Sequence, residues 1–146
     1  MRDILINEAR TYILLIKVFR GFNVLVGRLK DLHFKKGFYF YIGSAQRGLG
    51  ARIQRHLTKT KNIFWHIDYL LSSEYAQINE IWINSKAREC LTVKTLTKAG
   101  YNFIEKFGCS DCNCKSHLFF IRKDTSQLKN ILKRNGFKNA DKNSFR

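Results

Sequence analysis

The chain has 146 residues, 45% hydrophobic and 14% aromatic, which suits one domain with a real core and excludes a disordered polymer. Its 27 Lys and Arg face only 11 Asp and Glu, a formal net charge of +16 that points to a polyanionic partner, nucleic acid before anionic membrane. No apolar run approaches the roughly 20 residues of a membrane span and the N-terminus lacks a signal-peptide pattern, so the expectation is a soluble cytoplasmic protein with no membrane partner.

Residues 11 to 19 are β-branched, aromatic and almost continuously apolar, as in a strand covered on both faces. Short apolar runs at Asn23 to Arg28 and Phe38 to Gly43, separated by Gly21, Gly27 and Gly37, predict an antiparallel meander. Leu49, Ile53 and Leu57 make one stripe of a helix, with Arg52 and His56 flanking it at the border of core and solvent. Phe64, Ile67 and Leu71 form a second helical face, and Asp68 falls on it, where a carboxylate needs a partner. His66 lies beside it and reads as structural first, near the substrate second.

Gln77 to Ile83 returns as a strand, and Asn84 and Ser85 can cap a helix that runs to Lys98 and stops at Gly100. Glu89, Val93 and Leu96 share one face of it. Ser110 to Ser116 reads as a loop, His117 to Ile121 as a strand, Ser126 to Asn135 as a basic helix and Lys138 to Arg146 as a frayed tail. There is no repeat, no linker that splits the chain and no proline.

Cys109, Cys112 and Cys114 are too close in sequence to staple distant parts, and Cys90 sits in a helix, so reduced thiols are expected. Cys109, Cys112, Cys114 and His117 have the ligand types of a tetrahedral zinc site. Four ligands within nine residues is awkward for one ion, so buried thiols are the preferred reading and zinc the minority one.

Tyr12, the strand end Tyr41-Ile42-Gly43, Arg52 on the following helix and Glu89 on a later one resemble the GIY-YIG nuclease superfamily. Trp65 to Leu70 and the segment from Ser110 to Leu118 are similar to its Uri-type branch, found alone or fused to endonuclease III-like glycosylases. The likeness covers roughly residues 10 to 121. It departs in three places: the first motif keeps only its Tyr, the stretch from Tyr12 to Tyr41 is longer than the usual hairpin, an insertion ascribed to an added strand, and Ser44 stands where some relatives carry a Lys.

The resemblance implies an α+β fold, a small mixed, mainly antiparallel sheet flanked by helices, with residues 1–137 as a single nuclease domain and residues 138–146 as a basic tail. It implies metal-dependent endonuclease cleavage of nucleic acid, with DNA the expected polymer and DNA repair the expected setting. Phosphodiester hydrolysis needs a deprotonated water, a cation for the phosphorus oxygens and help for the leaving alkoxide. On that pattern Glu89 would hold Mg²⁺, Arg52 would stabilise the transition state, and Tyr12 or Tyr41 would position and deprotonate the water, with His56 as proton relay. Surplus positive charge is expected to lower a phenol toward neutrality. Gly43, Ser44, Arg47, Arg55, Lys133 and Arg134 are the expected nucleic-acid contacts. The blander readings are strand aromatics, surface cations and a helix-start acid stabilised by about 0.3–1 kcal/mol. The rival functions are a noncatalytic nucleic-acid-binding module and a zinc-stapled interaction domain.

Overall fold

The computed structural model describes residues 6, 8–59, 61–109 and 112–145. Among the described residues eight strands are formed: β1 (Thr11–Val18), β2 (Phe22–Leu25), β3 (Asp31–Phe34), β4 (Gly37–Ser44), β5 (Ala76–Asn84), β6 (Asn102–Phe103), β7 (Leu118–Ile121) and β8 (Lys138–Ala140). Four helices join them: α1 (Leu49–Leu57), α2 (His66–Leu71), α3 (Glu89–Lys98) and α4 (Ser126–Arg134). This is an α+β fold built on a six-stranded sheet in the order β6-β7-β4-β1-β5-β8, and every pairing in it is antiparallel.

β1 is central because both of its faces are covered. Tyr12, Leu14, Ile16 and Val18 pack with Leu49 and Ile53 of α1 and Ile67, Leu70 and Leu71 of α2. Ile13 and Leu15 face the other way, against Val93 and Leu96 of α3 and Leu128, Ile131 and Leu132 of α4. Burying each such side chain contributes roughly 1.5–3 kcal/mol, so the continuous apolar run of β1 ties two helical layers together.

Three expectations change. β2 and β3 do not join the meander; they pair only with each other, and β1 pairs directly with β4. The long Tyr12-to-Tyr41 stretch is therefore accommodated as a separate hairpin. The segment expected to fray is instead folded in: β8 pairs with the end of β5, Lys142 donates to the Ile78 carbonyl (3.0 Å), and Phe145 is buried. Arg146 lies outside the described residues. Phe64, placed on an apolar helical face by spacing, precedes α2 and is 77% exposed.

α3 starts at Glu89 rather than at the Asn84-Ser85 cap, because Asn84 still belongs to β5 and its side chain accepts from the Lys86 amide (2.9 Å). Among the described residues, no helix is long and apolar enough to cross a membrane.

Candidate active site and metal cluster

The start of β1 and the ends of β4 and β5 coincide, with Thr11 opposite Ser44 on one side and Asn84 on the other. At this end of the sheet Thr11 Oγ1 donates to the Lys86 carbonyl (2.6 Å) and accepts from the Arg88 amide (2.8 Å). That pair of bonds pins the loop before α3, which sets Glu89 down within electrostatic reach of both Tyr12 and Tyr41.

Tyr12 and Gly43 are cross-strand partners, and the phenol occupies the space beside the glycine. A Cβ on Gly43 would stand 2.3 Å from Tyr12 Cζ and 2.5 Å from its hydroxyl oxygen. Gly43, expected to admit a phosphate, instead admits the Tyr12 ring; steric exclusion is the reason for a glycine at this strand position.

α1 follows β4 after a short turn and delivers the next two groups. The Tyr12 hydroxyl is 2.7 Å from His56 Nε2, and Arg52, which donates to the Ser44 carbonyl, lies near enough to act on Tyr12 electrostatically. His56 Nδ1 is buried with no hydrogen-bond partner among the described residues. Tyr41, half-buried, completes the group, its ring centroid 6.4 Å from Tyr12 and 6.2 Å from His56. Thus Tyr12, Tyr41, Arg52, His56 and Glu89, drawn from β1, β4, α1 and α3, share one neighbourhood.

The electrostatics differ from the sequence expectation. Tyr12, 1% exposed, is held well above the usual phenol value, by burial first and then by Tyr41 and Glu89, which outweigh the lowering by Arg52. Tyr41 is likewise raised, by burial and then Glu89. His56 is driven down to about 3, chiefly by burial and next by Lys61. Near neutral pH the phenols and the imidazole are all uncharged; the surplus of cations acts elsewhere.

The expected nucleic-acid contacts separate into groups. Arg47 is exposed on the turn before α1. Arg55 is engaged: its two terminal nitrogens bind both oxygens of buried Asp68 (2.8 and 2.9 Å), and that carboxylate also accepts from the Phe64 and Trp65 amides. This is the partner Asp68 requires, and it holds the Asp68 carboxyl below its usual value despite burial. Lys133 and Arg134 end α4, which packs on the sheet face opposite to the Tyr12 side. His66 proves structural, its Nδ1 accepting from the Gly108 amide (2.9 Å).

Trp65 was not singled out. Both Arg52 and Arg55 stack on its ring, at 4.9 and 4.7 Å from the centroid, so it orients the catalytic candidate and the structural one together. The sequence signal was its place between two arginines of one helix and Asp68.

The cysteine quartet is also revised. Cys90, Cys112, Cys114 and His117 bring one ligand atom each to within 4.8 Å of all the others, and this cluster could hold a metal ion. Cys109 is not in it; its thiol donates to the Phe107 carbonyl (3.4 Å) and is pushed up to about 12 by burial and then by Cys112. Ser110 and Asp111 lie outside the described residues.

No curated protein and no solved structure gives a significant match. The family described as a domain of unknown function, DUF123, matches residues 11–137, nearly the whole fold and every candidate residue named above, and the chain belongs to that family.

Proposed function

We propose that this is a GIY-YIG-type, divalent-metal-dependent endonuclease that hydrolyses DNA phosphodiester bonds in repair in the cytoplasm. The observation that carries the reading is the meeting of Tyr12, Tyr41, Arg52, His56 and Glu89 at one end of the sheet, from positions up to 77 residues apart. Structural aromatics need no guanidinium and carboxylate beside them.

Glu89 suits a hard cation that keeps most of its waters, since its carboxylate is 28% exposed and belongs to no group of three or more candidate ligands among the described residues. Bound there, Mg²⁺ would supply positive charge to the scissile phosphate and the leaving oxygen. Arg52, fixed by Ser44 and Trp65, presents its charge to the non-bridging oxygens. Tyr12 is the phenol with a proton acceptor behind it: as it takes a proton from the attacking water, its own passes to His56 Nε2. Tyr41, the more open phenol, orients that water.

The raised phenols favour one rival, a basic module that binds nucleic acid without cutting it. Supercoiled plasmid incubated with and without Mg²⁺ decides between them. Mg²⁺-dependent nicking that disappears in Arg52→Ala supports the nuclease; binding with no nicking at any metal concentration leaves the rival.

A further inference from the structure

We propose that Cys90, Cys112, Cys114 and His117 bind a structural Zn²⁺ ion, one that ties the first turn of α3 to the loop before β7. The inference is independent of the nuclease reading. Three observations carry it.

The donor set is right and nearly closed. Three sulfurs and one imidazole nitrogen are a common structural zinc set, and with Zn–S bonds of about 2.3 Å the edges of the tetrahedron would be about 3.8 Å. The four ligand atoms already lie within 4.8 Å of one another, and Cys112 Sγ is 3.1 Å from His117 Nε2. Closing onto an ion takes only small side-chain rotations.

The imidazole is already held as a ligand. His117 Nδ1 faces the Ile42 carbonyl at 3.1 Å, and a carbonyl only accepts, so Nδ1 carries the proton and Nε2 is left bare toward the cysteines. A metal-bound histidine is oriented in this way by a hydrogen bond from its other nitrogen. Glu89 Oε1, 3.9 Å from the same Nδ1, adds a carboxylate to that outer shell. The backbone repeats the anchoring: His117 donates its amide to Phe107 and accepts from Ile42.

The ligands come from separate parts of the chain, with Cys90 in α3 and the others more than 20 residues later. Residues 112–117 form no helix or strand, so an ion would add a fixed point where regular structure is missing. A groove lined by Cys90, Lys94, Lys98, Cys114 and Lys115 gives the ion a way in. On binding, the three thiols release their protons while His117 stays neutral. Zn²⁺ with three thiolates then carries one net negative charge, which the lysines of the groove offset.

The test uses the full chain purified without chelator. Expected are equimolar zinc, a tetrahedral d–d spectrum with sulfur-to-metal charge transfer after cobalt replacement, and loss of both in Cys90→Ser and in Cys112→Ser. Cys109→Ser should keep the metal. Should the serine variants fail to fold, thiol alkylation of the parent decides instead: Cys90, Cys112 and Cys114 protected until chelator is added, and the reactivity of Cys109 unchanged by the chelator. Folded protein that stays free of zinc after equilibration with it, or zinc retained in Cys90→Ser but lost in Cys109→Ser, would overturn the proposal. Neither readout involves cleavage, so the site stands or falls apart from the nuclease.

Discussion

Gly43→Ala tests why a glycine ends the Tyr-Ile-Gly strand. Gly43 has ordinary extended backbone, so an alanine there is not strained in itself and would stabilise by about 0.4–1 kcal/mol through the unfolded chain. The obstacle is the Tyr12 ring, which the new methyl would meet at 2.3 Å, far inside contact distance. Displacing a buried ring from a packed site costs about 1–3 kcal/mol, and the Tyr12–His56 hydrogen bond is lost with it. In Tyr12→Val the strand keeps a residue that favours sheets, but the ring is gone and Gly43→Ala should be neutral or slightly stabilising. The interaction energy between the two positions is therefore expected to be roughly 1.5–4 kcal/mol, large for neighbours. Urea unfolding of the four proteins measures it. Equal costs of Gly43→Ala in both backgrounds would refute the steric account and return the glycine to a role in ligand approach.

Tyr12→Phe should cut DNA far more slowly than Tyr41→Phe in single-turnover assays, since it is the Tyr12 hydroxyl that is hydrogen-bonded to His56; the reverse order would reassign the base. His56 is held neutral with its folded pKa near 3, below the unfolded value of about 6.5. The stability this gives is complete above pH 6.5 and is lost as pH falls from there toward 3, at up to roughly 1.4 kcal/mol per pH unit. Denaturation in His56→Gln should show a flatter acid limb, although His66, lowered by burial too, keeps part of the slope. Asp68→Ala leaves Arg55 and two amides without their acceptor, and should destabilise by about 3–5 kcal/mol in the same unfolding assay. Binding to DNA should weaken steeply with salt, and a flat salt dependence would argue against backbone recognition.

Much of the fold was legible because local pattern and tertiary role coincide. The stripe Leu49, Ile53, Leu57 marks α1 to the residue, and the apolar run of β1 announces a strand covered on both sides. Partner choice was not legible: β2 and β3 read as strands, but nothing in their sequence says that they leave the main sheet. β8 was missed since two polar residues and an alanine carry no period of their own; they gain order from the open edge of β5 and from Phe145.

The site followed the same division. Residue types pointed to Tyr12, Tyr41, Arg52 and Glu89, and the chain folds them together. Their charge states were hidden, because burial overrides the +16 that seemed set to lower a phenol. Cys90 was hidden by distance along the chain; a metal cluster read by spacing alone favours close neighbours and took in Cys109.

The most direct measurement is the Mg²⁺-dependent cleavage rate of prebound DNA by Glu89→Gln beside the parent, with affinity and thermal stability recorded for both. The nuclease account expects the parent to cut, and the variant to bind and fold as well while its cleavage falls to background. A variant that cuts at the parent's rate, or a parent that binds DNA and never cuts it, would contradict that account.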